Sequence, residues 1–279
     1  MQLTCVAFSF AILLFSANVL AQDEESKNAG STTPVVIELF TAQSCVFCRD
    51  ADEILDSLNN IQNVVVLSCH VDYYPADSDP LARSFCTDRQ KTYLKAKDIA
   101  HIYTPHFVIN GQEFSAAQRS ELEKHVQKRL DEVSNIPQRL KITEINAPTY
   151  GLSLPDMTAS IDEDTSATVY LFGGALPVEV SKSGNPFEMK NAVTEYGVVT
   201  KWDGEPKELQ FDLIKKEGLE RVLIIVQSAN LKILAAGEKS LVEEEPALEN
   251  PFEELSEGEG TIDGEAVRSE GTPLPKAGE

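Results

Sequence analysis

The sequence predicts an α/β domain, a mixed sheet flanked by helices, followed by an all-β, sandwich-like domain and a disordered acidic tail. Three observations carry this expectation. Between residues 35 and 134, buried-strand runs alternate with stretches of helical spacing. Between 140 and 238, seven or so short β-rich runs follow one another between turn residues, with no convincing helix among them. From Leu241 onward the chain is rich in Glu, Pro and Gly and poor in apolar residues, a composition that cannot bury a core.

The elements follow in order. Residues 22–34 are polar and read as disordered. Residues 35–40, with Val35, Val36, Ile37, Leu39 and Phe40, form a nearly continuous apolar run, as a buried strand requires. Ala51, Ile54, Leu55 and Leu58 then fall at helical spacing after Cys48. A second buried strand spans 64–67 and leads into Cys69-His70-Val71-Asp72. Asp79 is suited to cap a helix with Pro80 in its first position, and Leu81, Phe85 and Tyr93 line its inner face. A third strand at 106–110 meets Asn110-Gly111, a hairpin turn signal, with a partner at 112–114. Ser120 and Glu123 fit a capping box for a helix buried through Leu122, Val126, Leu130 and Val133; Ser115 is an earlier possible start. A linker at 135–139 contains Pro137. Strands are then expected at 140–145, 157–161, 167–172, 192–199, 207–211, 222–227 and 232–236.

Composition excludes some partners. The formal net charge is −21, about half of it in the tail 241–279, so nucleic acid is not expected to bind. Residues 1–21 read as a secretory signal with cleavage after Ala21, and no other segment is apolar enough to span a bilayer. A secreted or periplasmic location follows as an expectation. Cleavage would remove Cys5 and leave Cys45, Cys48, Cys69 and Cys86 where disulfides persist. Four cysteines allow three connectivities, so Cys69 and Cys86 either form a disulfide or remain buried thiols.

The residues with the most chemistry are Cys45-Val46-Phe47-Cys48, set between a strand and a helix. Two cysteines so spaced can cycle between dithiol and disulfide. Unpaired N–H groups of a helix start favour the thiolate of the first sulfur. The competing reading is a short-loop structural disulfide. No other catalytic signature is present: Gly-x-Ser-x-Gly, His-Glu-x-x-His and a phosphate-binding Gly-rich loop are all missing.

On these residues the first domain resembles the thioredoxin-like superfamily. The resemblance lies in the strand-Cys45-x-x-Cys48-helix order, in Thr104-Pro105 directly before a strand, and in the acid Glu38. It implies a cis bond at Thr104–Pro105, with Pro105 facing Cys45 and Glu38 beneath the pair, relaying a proton to or from Cys48. A closer similarity covers roughly 35–237. It rests on residues 38–45, His70-Val71-Asp72-Tyr73-Tyr74, Arg89-Gln90, Tyr103-Thr104-Pro105 and residues 108–111. These phrases look like a family of secreted thioredoxin-like proteins catalogued as a domain of unknown function.

The expected function is therefore thiol–disulfide exchange on protein or small-thiol substrates. Cys45 would attack, Cys48 would resolve, and Thr104, Pro105 and Phe47 would hold the substrate. No cofactor is expected. Two alternatives compete: a redox-inert binding module with a permanent disulfide, and a copper-handling protein using Cys45, Cys48 and His70. Oligomeric state is not legible in the sequence.

Overall fold

The structure is a computed structural model. It describes residues 32–242 except 76–78, 115–117, 134–138, 162–164, 176–177, 183–184, 190, 215 and 217. The expected signal, most of the linker and nearly all of the acidic tail lie outside the described residues. The last part of the stretch expected to be disordered does not behave as disordered: Thr33 is buried, and its carbonyl accepts a hydrogen bond from the Asn63 side chain.

The first sheet has the order β2-β1-β3-β4. Strand β1 (Val35–Thr41) runs parallel to β2 (Val64–His70) and antiparallel to β3 (His106–Ile109), and β3 pairs antiparallel with β4 (Gln112–Phe114). All seven residues of β1 and of β2 are buried, because both faces of the sheet are covered. Strand alternation assigns the faces. Val35, Ile37, Leu39, Val64, Val66, Phe107 and Ile109 meet Ala51, Ile54, Leu55 and Leu58 of helix α1 (Cys48–Leu58). Leu122, Val126 and Val133 of helix α3 (Arg119–Val133) complete that core. Val36, Phe40, Val65, Leu67 and Val108 point the other way, toward helix α2 (Ser84–Ala96) and the β-rich half of the chain.

That half contains a four-stranded antiparallel sheet of order β10-β7-β12-β13. Its strands are β7 (Ala167–Ala175), β10 (Val193–Trp202), β12 (Leu219–Gln227) and β13 (Ile233–Ser240). Phe172, Leu223, Ile225 and Ile233 pack on the first sheet. Val169, Val222, Ile224 and Val226 pack instead against a three-stranded sheet, order β11-β6-β5. That sheet comprises β5 (Lys141–Asn146), β6 (Thr149–Leu154) and β11 (Lys207–Asp212). The central sheet is therefore apolar on both sides, which explains the unbroken run Val222-Leu223-Ile224-Ile225-Val226. A further hairpin joins β8 (Val178–Lys182) to β9 (Asn185–Met189).

Backbone bonds tie the halves together. Ser68 N–H donates to Asn191 O at 2.9 Å and Ile233 N–H to Asn110 O at 3.1 Å. The Arg221 guanidinium donates to Val66 O at 2.6 Å. The described residues up to Val242 form one compact unit. Gly111 is part of this junction. Its φ is +74°, and a Cβ there would lie 1.7 Å from Leu231 O, so the Asn110-Gly111 turn admits no side chain at its second position.

Several sequence expectations change here. Asp79 does not cap α2, which starts at Ser84 after Arg83; Asp79 lies upstream and binds other loops. Ser120 sits inside α3 rather than ahead of it, so the capping box is not the start signal. Residues expected as a strand at 157–161 hold a 3-10 turn at Thr158–Ser160, where the Asp156 carboxylate accepts the Thr158 N–H. The strand lies earlier, in β6, where Tyr150, Leu152 and Leu154 are buried alternately. Gly151 between them broke the pattern by sequence.

Candidate functional site

Cys45 and Cys48 are joined as a disulfide with Cα atoms 5.3 Å apart. The chain leaves β1 at Thr41 and turns tightly, with Cys45 N–H donating to Ala42 O. It enters α1 at Cys48, with no side chain capping the helix start. The pair thus sits at the positive end of the helix dipole, with Cys48 N–H donating to Cys45 O at 3.4 Å. Cys45 is 6% exposed and Cys48 1%, while Val46 and Phe47 between them are 84% and 74% exposed. The sulfurs are thus sheltered under an apolar tip that faces solvent.

The Thr104–Pro105 bond is cis. It brings Thr104 O to 3.8 Å from Cys45 Sγ. Thr104 Oγ1 and Tyr74 OH share a hydrogen bond of 2.8 Å, and Tyr73 stacks on Tyr74. Tyr73 and Ile102 are also among the exposed apolar side chains. Burial pushes the Tyr73 hydroxyl up to about 12, so it is a neutral donor at physiological pH. His106, after the cis proline, is buried against Phe40; burial brings it down to about 4 and keeps it neutral.

Glu38 is buried, but its face is not that of α1. With Val36 and Phe40 it points toward α2, where Arg89 grips both carboxylate oxygens and Tyr93 OH donates to Oε1 at 2.6 Å. Arg89 in turn bonds Gln227 of β12 at 3.3 Å and lies over the rings of Tyr93, Tyr170 and Phe172. Glu38 therefore anchors the contact between the two halves. The relay role implied by resemblance does not fit a carboxylate that is ion-paired with a buried guanidinium on the face of the sheet turned away from α1.

A different acid occupies the α1 side. Asp52 follows Cys48 by four residues and is buried. It accepts from Thr41 Oγ1 at 2.9 Å and from Ser68 Oγ at 3.3 Å. Ser68 Oγ is 3.4 Å from His70 Nε2, and His70 Nδ1 is 2.7 Å from Asp79 Oδ2. Asp79 also accepts the N–H groups of Gln43 and Leu81. Burial raises Asp52 to about 6; His70 and the Thr41 and Ser68 hydroxyls offset part of that rise. For Asp79 burial pulls upward, yet the bond and charge of His70 and the two N–H groups hold it below its usual range. By sequence Asp52 could have been noticed as an acid on the apolar stripe of Cys48, Ala51 and Leu55.

His70 is not placed for the copper set that the sequence left as an alternative. Both of its ring nitrogens are engaged, by Asp79 and Ser68, and among the described residues no cluster of three His, Cys, Asp or Glu side chains has metal-holding geometry. Cys69 of β2 and Cys86 of α2 form a second, fully buried disulfide. Among the described residues no helix is long and apolar enough to cross a membrane.

Asp52 gives a stability prediction with a definite sign. The folded state holds the Asp52 proton up to about pH 6, whereas the unfolded chain releases it near 3.8, so Asp52 subtracts stability as pH rises between these values. Asp52→Asn should stabilise the fold by on the order of 2–3 kcal/mol at pH 7, and by nothing below about pH 4. Urea melts at the two pH values will show whether the gain is pH-dependent.

Comparison with known proteins adds family and fold. A family model described as "Protein of unknown function (DUF1223)" matches residues 36–227. The structure is similar to the crystal structure of an Agrobacterium tumefaciens protein, with a TM-score of 0.59 and 23% identity over 79% of this chain and 99% of that one. It is also similar to HBP35 of Porphyromonas gingivalis, with a TM-score of 0.53 and 18% identity over 78% of each chain. At these identities the likeness speaks for fold alone. A search of curated proteins returns no match.

Proposed function

The chain belongs to the family of proteins of unknown function (DUF1223) matched over residues 36–227, and from that premise we propose that it is a secreted or periplasmic thiol–disulfide oxidoreductase built on a thioredoxin-like first half. The observation that carries the proposal is the Cys45–Cys48 disulfide at the N-terminus of α1, with the cis Thr104–Pro105 backbone 3.8 Å from Cys45 Sγ. The sheet order β2-β1-β3-β4, with the pair after β1 and the cis proline before β3, supports the fold reading. The buried Cys69–Cys86 disulfide supports an oxidising compartment.

In this reading Cys45 forms the mixed disulfide and Cys48 resolves it. The substrate is a polypeptide whose cysteine has apolar neighbours. Val46 and Phe47 expose apolar side chains between the two cysteines, Tyr73 and Ile102 are exposed apolar side chains as well, and the Thr104 backbone beside Cys45 would lie alongside an extended chain. Thiol trapping in graded redox buffers tests the core of the proposal; a pair that stays oxidised across the biological range overturns it. The near-complete burial of Cys45 favours the alternative of a permanent disulfide, and that outcome is the one it expects.

Phe47→Ser tests the substrate class. Losing a Phe side chain that becomes covered on binding removes about 1.5–3 kcal/mol. kcat/KM for a polypeptide disulfide should fall roughly tenfold or more, with a small aromatic disulfide unaffected.

A further inference from the structure

Resting on the oxidoreductase reading, we propose that Asp52 is the proton acceptor for Cys48, and that Ser68 and His70 are positioning residues that carry the accepted proton away toward Asp79.

Geometry selects Asp52. Cys48 and Asp52 lie one turn apart on α1, both buried, and residues so spaced have Cβ atoms about 5–6 Å apart. The sheet beneath is prepared for a proton. The α1-facing residues of β1 and β2 are apolar until the carboxyl ends of the strands, where Thr41, Ser68 and His70 replace them. All three side chains are buried. Thr41 donates to one oxygen of Asp52 and Ser68 to the other.

The chain beyond Asp52 has two proton arrangements. Asp79, held by the N–H groups of Gln43 and Leu81, accepts His70 Nδ1–H. His70 Nε2 then faces the Ser68 hydroxyl, which lies between it and Asp52. In one arrangement Asp52 is protonated and donates to Ser68 Oγ, while Ser68 donates to Nε2. In the other, Nε2 holds the proton and donates to Ser68 Oγ, while Ser68 donates to the Asp52 carboxylate. One hop through the hydroxyl interconverts them. The titratable groups that bear on Asp52 are His70 from β2, with Asp79 behind it, and Asp56 from its own helix; β1 contributes only the Thr41 hydroxyl.

The step balances without another reagent than the substrate disulfide. After Cys45 has attacked, the substrate is bound through a Cys45–substrate S–S bond and its first sulfur has left as thiolate. The Cys48 S–H proton passes to the Asp52 carboxylate. The freed electron pair on Cys48 sulfur forms the Cys45–Cys48 bond. The Cys45–substrate bond breaks, and its pair leaves on the second substrate sulfur. The pair is oxidised, the substrate disulfide is reduced, and the proton rests on Asp52 or His70.

The test uses the reduced full chain mixed with excess aromatic disulfide. Cys45 attack releases the first aromatic thiol, and Cys48 resolution releases the second. In the native protein the second phase should rise with pH through an inflection near 6, where Asp52 loses its proton. Asp52→Asn keeps the shape and both hydroxyl contacts. It should slow the second phase roughly 10–100-fold at pH 7 and abolish the inflection, with the first phase unchanged. Ser68→Ala, which leaves Asp52 in place, should shift the inflection without abolishing it. A second phase in Asp52→Asn within twofold of native, with the native pH profile, overturns the assignment while leaving the oxidoreductase reading intact. A native protein that releases neither thiol overturns that reading, and this one with it.

Discussion

Cys45→Ser should reduce disulfide exchange to the uncatalysed background. The serine oxygen cannot form the mixed disulfide, and Cys48, 1% exposed as the first residue of α1 and without the Thr104 carbonyl beside it, is not placed to replace Cys45 as the attacking sulfur. The paired variant Cys48→Ser should behave differently. It keeps the attacking sulfur beside the Thr104 carbonyl but lacks the group that resolves, so it should accumulate a stable mixed disulfide with the substrate. Neither change touches the Cys69–Cys86 disulfide, and the fold should survive both. Reduction of a model protein disulfide, with mass measurement of the trapped adduct, checks the two together. Residual catalysis in Cys45→Ser would remove Cys45 from the mechanism.

Glu38→Gln should cost about 3–5 kcal/mol of stability, the typical penalty for breaking a buried ion pair by removing one partner. Arg89 would remain charged and buried among Tyr93, Tyr170 and Phe172, with Gln227 and a neutral amide in place of a carboxylate. The double change Glu38→Gln with Arg89→Met should recover much of the loss, because it removes the stranded charge as well. Urea denaturation measures both variants. A loss below about 1 kcal/mol in the single variant would contradict the anchoring role. Under conditions where it remains folded, Glu38→Gln should leave the pH profile of the Cys48 step unchanged. That separates the acid on the α2 face of the sheet from Asp52 on the α1 face.

The sequence displayed the cysteine pair and its place between strand and helix because those are local: four residues, an apolar run before and a helical stripe after. Asn110-Gly111 was legible for the same reason, since its left-handed backbone is a property of two adjacent residues. Strand β6 was not, because a single Gly151 interrupted the pattern, and the 3-10 turn at Thr158–Ser160 was not, because one Asp156 carboxylate overrode β-like composition.

Glu38 and Asp52 show where local reading ends. Both are acids within ten residues of the pair in sequence, and nothing local ranks one above the other. Strand alternation turns Glu38 to the side where Arg89 and Gln227 arrive, from 51 and 189 residues further along the chain. Helical spacing sets Asp52 one turn beyond Cys48, above Ser68 and His70 of a neighbouring strand. The chain alone determined that a redox-capable pair begins a helix after a buried strand. Only the packed sheet decided which acid is neutralised and which keeps a proton near it, because a buried carboxylate takes its character from the charges and donors that distant segments bring to it.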